Sequence, residues 1–190
     1  MTTTRVEAFS DGVFAIIITI MVLELHVPHD VTFQALRPVV PVLLSYILSF
    51  VFVGIYWTNH HHLLHAAEHV NGQVLWANLH LLFWLSLIPF VTGWMGENNF
   101  AQLPVALYGC ILFLSAIAYY ILVRSLLSLH GPASLLSEAL GSDFKGKISL
   151  VVYVVAIPLA FVRSWLAWAF YILVAIMWLI PDRRIERKMT

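Results

Sequence analysis

The sequence predicts an all-α integral membrane protein with six transmembrane helices per chain, and three observations carry that prediction. Hydrophobic residues make up 61% of the 190-residue chain, and its mean hydropathy is +0.89. Charged residues are only 11%, against roughly 25% for a soluble domain. Apolar tracts of about 20 residues recur from end to end, which is the length a helix needs to cross a bilayer. The formal net charge of zero says little, because the placement of charge matters more than its sum. Cys110 is the one cysteine and has no internal partner for a disulfide. No signal peptide is visible, since the first apolar tract contains acids and no small-residue cleavage site follows it.

The first span is expected over about residues 5–27, ended by Pro28 and the polar His29–Thr32. A second, over about 36–59, has Pro38 and Pro41 in its first turns, where a missing amide is tolerated. The third covers about 73–95 and closes at Pro89 and the turn Gly96-Glu97-Asn98-Asn99. The fourth runs over about 101–127, ending in Arg124–Pro132. After a polar loop with Asp143, Lys145 and Lys147, a fifth span covers about 148–163. The sixth, about 165–181, is joined to it tightly around Arg163–Ser164 and stops at Pro181 before a basic tail. No repeat or linker divides residues 1–190, so a single six-helix domain is expected.

Lysines and arginines orient the chain. With the N-terminus inside, Arg5, Arg124, Lys145, Lys147, Arg183, Arg184, Arg187 and Lys188 fall on the inner side, leaving Arg37 and Arg163 outside. That asymmetry puts both termini in the cytoplasm by the positive-inside rule. Trp94 and Trp165 suit the outer aromatic belt.

Within the first span, Ile20 and Leu23 fall within about 40° of Ile16, with Gly12 near the same line. Periodicity alone reads this stripe as a face packed on a neighbouring helix. Thr19 lies beside it and either offers a hydroxyl there or bonds back to a carbonyl one turn earlier. Asp11 sits about 140° from Ile16, on the far side of the helix, and needs donors from another helix. Asn59, His60, Asn78 and His80 are the candidates. Glu24 closes the tract, as a solvated helix-end carboxylate or as an acid that enriches cations at an outer mouth.

The pattern R-x-x-x-F-S-D-G-V-F-A-I-x-x-T, at Arg5, Phe9, Ser10, Asp11, Gly12, Val13, Phe14, Ala15, Ile16 and Thr19, resembles the signature of the transmembrane protein 175 family of potassium channels. Tyr56–His62 and Leu75–Thr92 extend the resemblance through the second and third spans, and the second half of the chain shares only hydropathy. The resemblance implies a potassium-selective or potassium-preferring channel with an oligomeric pore lined by the first helix. On that footing Ile16 is the constriction, Ile20 and Leu23 are further rings, and Thr19 lies beside them. Arg5, Phe9, Ser10, Asp11, Asn59, His60, Asn78 and His80 then anchor the pore helix. An apolar ring offers no ligands to replace hydration, so it discriminates by diameter and dewetting, which penalises sodium more than potassium.

Five of the nine histidines lie between His60 and His69. His61, His65 and His69 share one face if helix continues there, and Glu68 adds an oxygen, so a histidine-cluster membrane metalloenzyme is the rival class. Such enzymes spread histidine boxes over two helical hairpins, whereas here only His80 and His130 lie outside this region and the first loop. His62 stands where the family carries a base, which suggests pH sensing. A small-molecule transporter would break helices at mid-membrane and place charges there, and no acid sits at any expected midplane. One apolar stripe per chain cannot surround an axis, so a pore requires a cyclic oligomer, and the resemblance implies four copies. The expected partners are further copies, the lipid bilayer and permeant potassium ions, with no cofactor and no nucleic acid. The basic tail suits anionic lipid.

Overall fold

A computed structural model describes residues 3–131 and 144–179. Among them the chain is all-helical: α1 (Thr3–Leu23), α2 (Val39–His65), α3 (Gly72–Ser86), α4 (Ile88–Glu97), α5 (Gln102–His130), α6 (Phe144–Val162) and α7 (Ser164–Leu179). One turn of 3-10 helix, Phe33–Leu36, lies between α1 and α2. α3 and α4 together make a single apolar span, Gly72–Glu97, so the described helices form six passes. Five are long and apolar enough to cross a membrane, and α7 is a shorter apolar helix of 16 residues.

The ends differ from the expected ones for local reasons. α1 stops at Leu23, four residues before the expected end, because Pro28 biases the preceding backbone away from helix. α2 continues past Asn59 to His65, since nothing from His60 to Leu64 interrupts helix. The third pass is broken at Leu87 because Pro89, near the start of α4, has no amide to return to the turn before it. α5 runs to His130 and is closed by Gly131 at φ 80°, a conformation that costs glycine no side-chain clash. Asp143, Pro181 and the tail cations Arg183, Arg184, Arg187 and Lys188 lie outside the described residues.

α5 is the hub, packed on α3, α4, α6 and α7, while α1 leans on α2, α3 and α4. Small residues allow the closest approaches, as expected where lipid tails compete for every apolar surface. Ala156, Ala160 and Ala167 are fully buried on the last two helices. A methyl on Gly96 would meet the Cα of Val42 at 2.6 Å, so that glycine sets how near α4 lies to α2. One cluster of polar groups in this core is paired across helices. Ser49 bonds Thr92 at 2.6 Å and the Tyr108 hydroxyl at 2.9 Å, and Thr92 donates to the Ile88 carbonyl.

The first helix and its polar anchor

α1 has two faces. Val6, Ser10, Phe14, Ile17 and Met21 recur at helical spacing and are buried against the neighbouring helices. About 110° round the helix from their centre, Ile16 is 58% exposed, Ile20 43% and Leu23 76%. A methyl on Gly12 would meet nothing within 4 Å. Arg5 and Phe9 continue this open side toward the N-terminal end. Thr19 donates to the Ile16 carbonyl at 3.0 Å, so its proton is held by its own helix while its oxygen stays on the open side.

The buried face is fixed by a hydrogen-bond chain through three helices. The His60 Nε2 lies 2.7 Å from the Asn78 side-chain oxygen. The Asn78 amide donates to Ser10 Oγ at 3.0 Å. Ser10 in turn donates to the Val6 carbonyl at 2.7 Å. With Asn78 oriented this way the donors run consistently from His60 of α2, through α3, to α1. All three side chains are buried, and the edge of Phe14 closes on the His60 ring at 5.5 Å between centroids. His60 Nδ1 has no partner, so its one protein bond goes to Asn78.

Asp11 is not met by any of the four residues expected to meet it. Its Oδ1 accepts from the indole of Trp57 at 2.9 Å. One turn earlier on α1, Glu7 lies 2.8 Å from His61 Nδ1. Glu7 and Asp11 are spaced i,i+4 on α1, and Trp57 and His61 are spaced i,i+4 on antiparallel α2, so the two pairs form rungs. That matching spacing is a signal in the sequence, and reading Asp11 alone misses it. Asn59 bonds the Ile55 carbonyl of its own helix at 2.7 Å, and His80 accepts from Trp84 in its own helix at 2.9 Å. Neither reaches α1 through its side chain.

The remaining histidines do not converge. α2 ends at His65, so His69 is not on the face shared by His61 and His65, whose rings stack at 5.9 Å. His69 instead lies against His130, 4.7 Å between ring centroids. His130 Nε2 accepts from the Glu68 and His69 amides and Nδ1 donates to the Leu126 carbonyl. His62 is exposed. Among the described residues no three His, Cys, Asp or Glu side chains come together as a metal site. At the far end of α1, Glu24 packs on Gly93 rather than following the Ile16 line, and with Glu97 it borders a cavity of about 190 Å³.

A bundle of apolar passes whose first helix is pinned on one face by buried polar groups, and left apolar and open on the other, defines a multi-pass α-helical membrane protein. The sequence profile described as "Endosomal/lysosomal potassium channel TMEM175" matches residues 5–89. A protein of Chryseobacterium sp. (strain P1-3), named a potassium channel, is 56% identical over 189 residues, covering 100% of this chain and 98% of the relative. A chicken (Gallus gallus) protein named endosomal/lysosomal proton channel TMEM175 is 28% identical over 141 residues, covering 66% of this chain and 28% of that one. The crystal structure of a lysosomal potassium-selective channel TMEM175 homolog from Chamaesiphon minutus superposes with a TM-score of 0.76 at 26% identity, covering 94% of this chain and 96% of that one. The chain belongs to the TMEM175 family. These relatives are named as channels and not as enzymes, which removes the metalloenzyme alternative.

Proposed function

We propose that four copies of this chain assemble around α1 as a passive, potassium-preferring cation channel in the cell membrane of a bacterium or archaeon, with both termini in the cytoplasm. The observation that carries the reading is the open stripe on α1. Ile16, Ile20 and Leu23 are exposed along one line while the buried face is fixed to α2 and α3. An anchored helix presents that stripe in one orientation, which a constriction requires. Repeated by rotational symmetry, the stripe becomes stacked aliphatic rings with Ile16 nearest the N-terminal end, and the Thr19 oxygen lies beside them. Glu24 and Glu97 place two carboxylates per subunit at the Leu23 end, where their field would draw cations toward the mouth. The rings supply no ligand oxygens, so the ion that sheds or deforms its hydration more cheaply passes faster, and that ion is potassium rather than sodium. The reading needs no cofactor.

Purified protein in a planar bilayer, with potassium on one side and sodium on the other at equal pH, tests it. Current reversing toward the potassium potential is expected, and Ile16→Asn, which hydrates the ring, moves the reversal toward zero. A reversal that follows an imposed pH difference instead would make the permeant ion a proton. Unchanged permeability ratios in Ile16→Asn would remove Ile16 from the constriction.

A further inference from the structure

His130 closes α5 and is bonded at both ring nitrogens. Nε2 lies 3.2 Å from the Glu68 amide and 3.4 Å from the His69 amide, and Nδ1 lies 2.9 Å from the Leu126 carbonyl. A backbone amide can only donate and a carbonyl can only accept, so the ring is neutral and carries its proton on Nδ1. Glu68 and His69 belong to the segment that joins α2 to α3. Among the described residues their amides have no other acceptor. The His69 ring lies beside that of His130, 4.7 Å between centroids. One imidazole therefore ties the α2–α3 connection to the end of α5.

A proton on Nε2 would turn the acceptor into a donor that faces two donors, and both amide bonds would be lost. Histidine changes charge between about pH 5 and 8. We propose that His130 is a pH-dependent latch: neutral, it holds the α2–α3 connection, and protonated, it releases it. The latch is complete on the alkaline side and is lost as pH falls. Of the charged and titratable groups on the elements around it, Glu68 favours the proton. A charged His69, Arg124 of α5, and Lys145 and Lys147 of α6 oppose it, and α3 brings no charged side chain in its first two turns. Such groups move the midpoint and leave the sign alone, because Nε2 cannot carry a proton and accept one. The latched segment leads into Asn71, which caps α3 by accepting from the Val74 amide at 2.9 Å, and α3 carries Asn78 of the α1 anchor. The latch is independent of which ion the α1 stripe passes.

Amide hydrogen exchange of the detergent-purified protein tests the assignment, read by mass spectrometry and corrected for the intrinsic pH dependence of exchange. The Glu68 and His69 amides are expected to be about fivefold better protected at about pH 8 than at about pH 5.5, the contribution of one net hydrogen bond. Peptides from the buried middle of α5 should not change, which shows that the fold is intact at both pH values. His130→Gln, whose side-chain oxygen accepts without titrating, is expected to keep the protection throughout, and His130→Phe to lose it throughout. His69→Ala is expected to keep the pH dependence. Equal protection in the native protein and His130→Phe on the alkaline side would overturn the proposal, as would native protection that does not change with pH. A pH dependence that survives in His130→Gln, or disappears in His69→Ala, would also overturn it, because the titrating group would then be another.

Discussion

Asn78 is the residue whose loss should tell most about how α1 is held. It is 2% exposed and is the single link between His60 of α2 and Ser10 of α1. In Asn78→Ala the Ser10 hydroxyl keeps the Val6 carbonyl, so it is not stranded. His60 is stranded. Its Nδ1 already lacks a partner, and losing the Asn78 oxygen leaves a fully buried imidazole with no protein hydrogen bond. An orphaned buried polar group costs about 1–3 kcal/mol. In a membrane protein the lower half of that range applies, because interhelical bonds there average only about 0.6 kcal/mol. A loss of about 1–2 kcal/mol lowers the melting temperature of a chain this size by about 2–8 °C. The assay is loss of the oligomeric elution peak after heating in mild detergent, followed by tryptophan fluorescence. His80→Ala is the matched control, since His80 is exposed and bonds only within its own helix. Adding Ser10→Ala to Asn78→Ala should cost less than the sum of the two single changes, because one link is broken either way. An Asn78→Ala protein that melts with the His80→Ala control would refute the anchoring role.

Four other changes probe separate parts of the same argument. Gly12→Ala should leave the melting temperature within about 1 °C, whereas Gly96→Ala should lower it by about 2–12 °C, since overpacking costs about 1–3 kcal/mol when backbone cannot yield. Thr19→Val should alter permeability ratios less than Ile16→Asn does, because the Thr19 proton is already given to the Ile16 carbonyl, and an equal or larger effect would put the Thr19 hydroxyl in the permeation path. Trp57→Phe keeps an aromatic ring beside His61 but strips Asp11 of its donor. This rung is exposed, so the cost should be under about 1 kcal/mol and the thermal shift smaller than that of Asn78→Ala.

Much of the fold was legible because each pass is long, apolar and bounded by prolines, glycines or polar turns. Besides the early end of α1 and the break at Leu87, the misjudged boundaries are those where polar residues continue a helix. His60–His65 looks like a helix end by composition, yet it completes α2 because His60 turns inward to Asn78 and His61 is met by Glu7. Likewise Ser10, His60 and Asn78 were all recognisable as polar residues in apolar surroundings, and the structure joins them in one chain. Asp11 does bond across to a second helix, but its partner is not among the expected ones, for a different reason. Its partner is a tryptophan, whose single N–H is invisible to a search confined to amides and imidazoles. The signal that could have found it is the matched i,i+4 spacing of Glu7 with Asp11 and of Trp57 with His61, which shows only when the two helices are read as a pair.

The open stripe of α1 shows where a sequence stops speaking and assembly takes over. Ile16, Ile20 and Leu23 are as apolar as Val151 and Val154 on α6 or Leu173 and Ile176 on α7, and all seven are exposed. Lipid and a dewetted pore ask for the same side chains, so neither hydropathy nor exposure in one subunit separates them. Cross-helix polar links also hold α7, where Tyr171 bonds the Val105 carbonyl and Trp178 bonds Ser149, and α1 carries the larger set. α1 carries a buried serine bound across to a second and third helix, and two carboxylates met by Trp57 and His61. A lipid-facing helix can rotate by some tens of degrees with little change in what its exposed side meets. Polar links on the back of α1 forbid that rotation. The stripe is thereby held in one orientation, which the proposed pore requires.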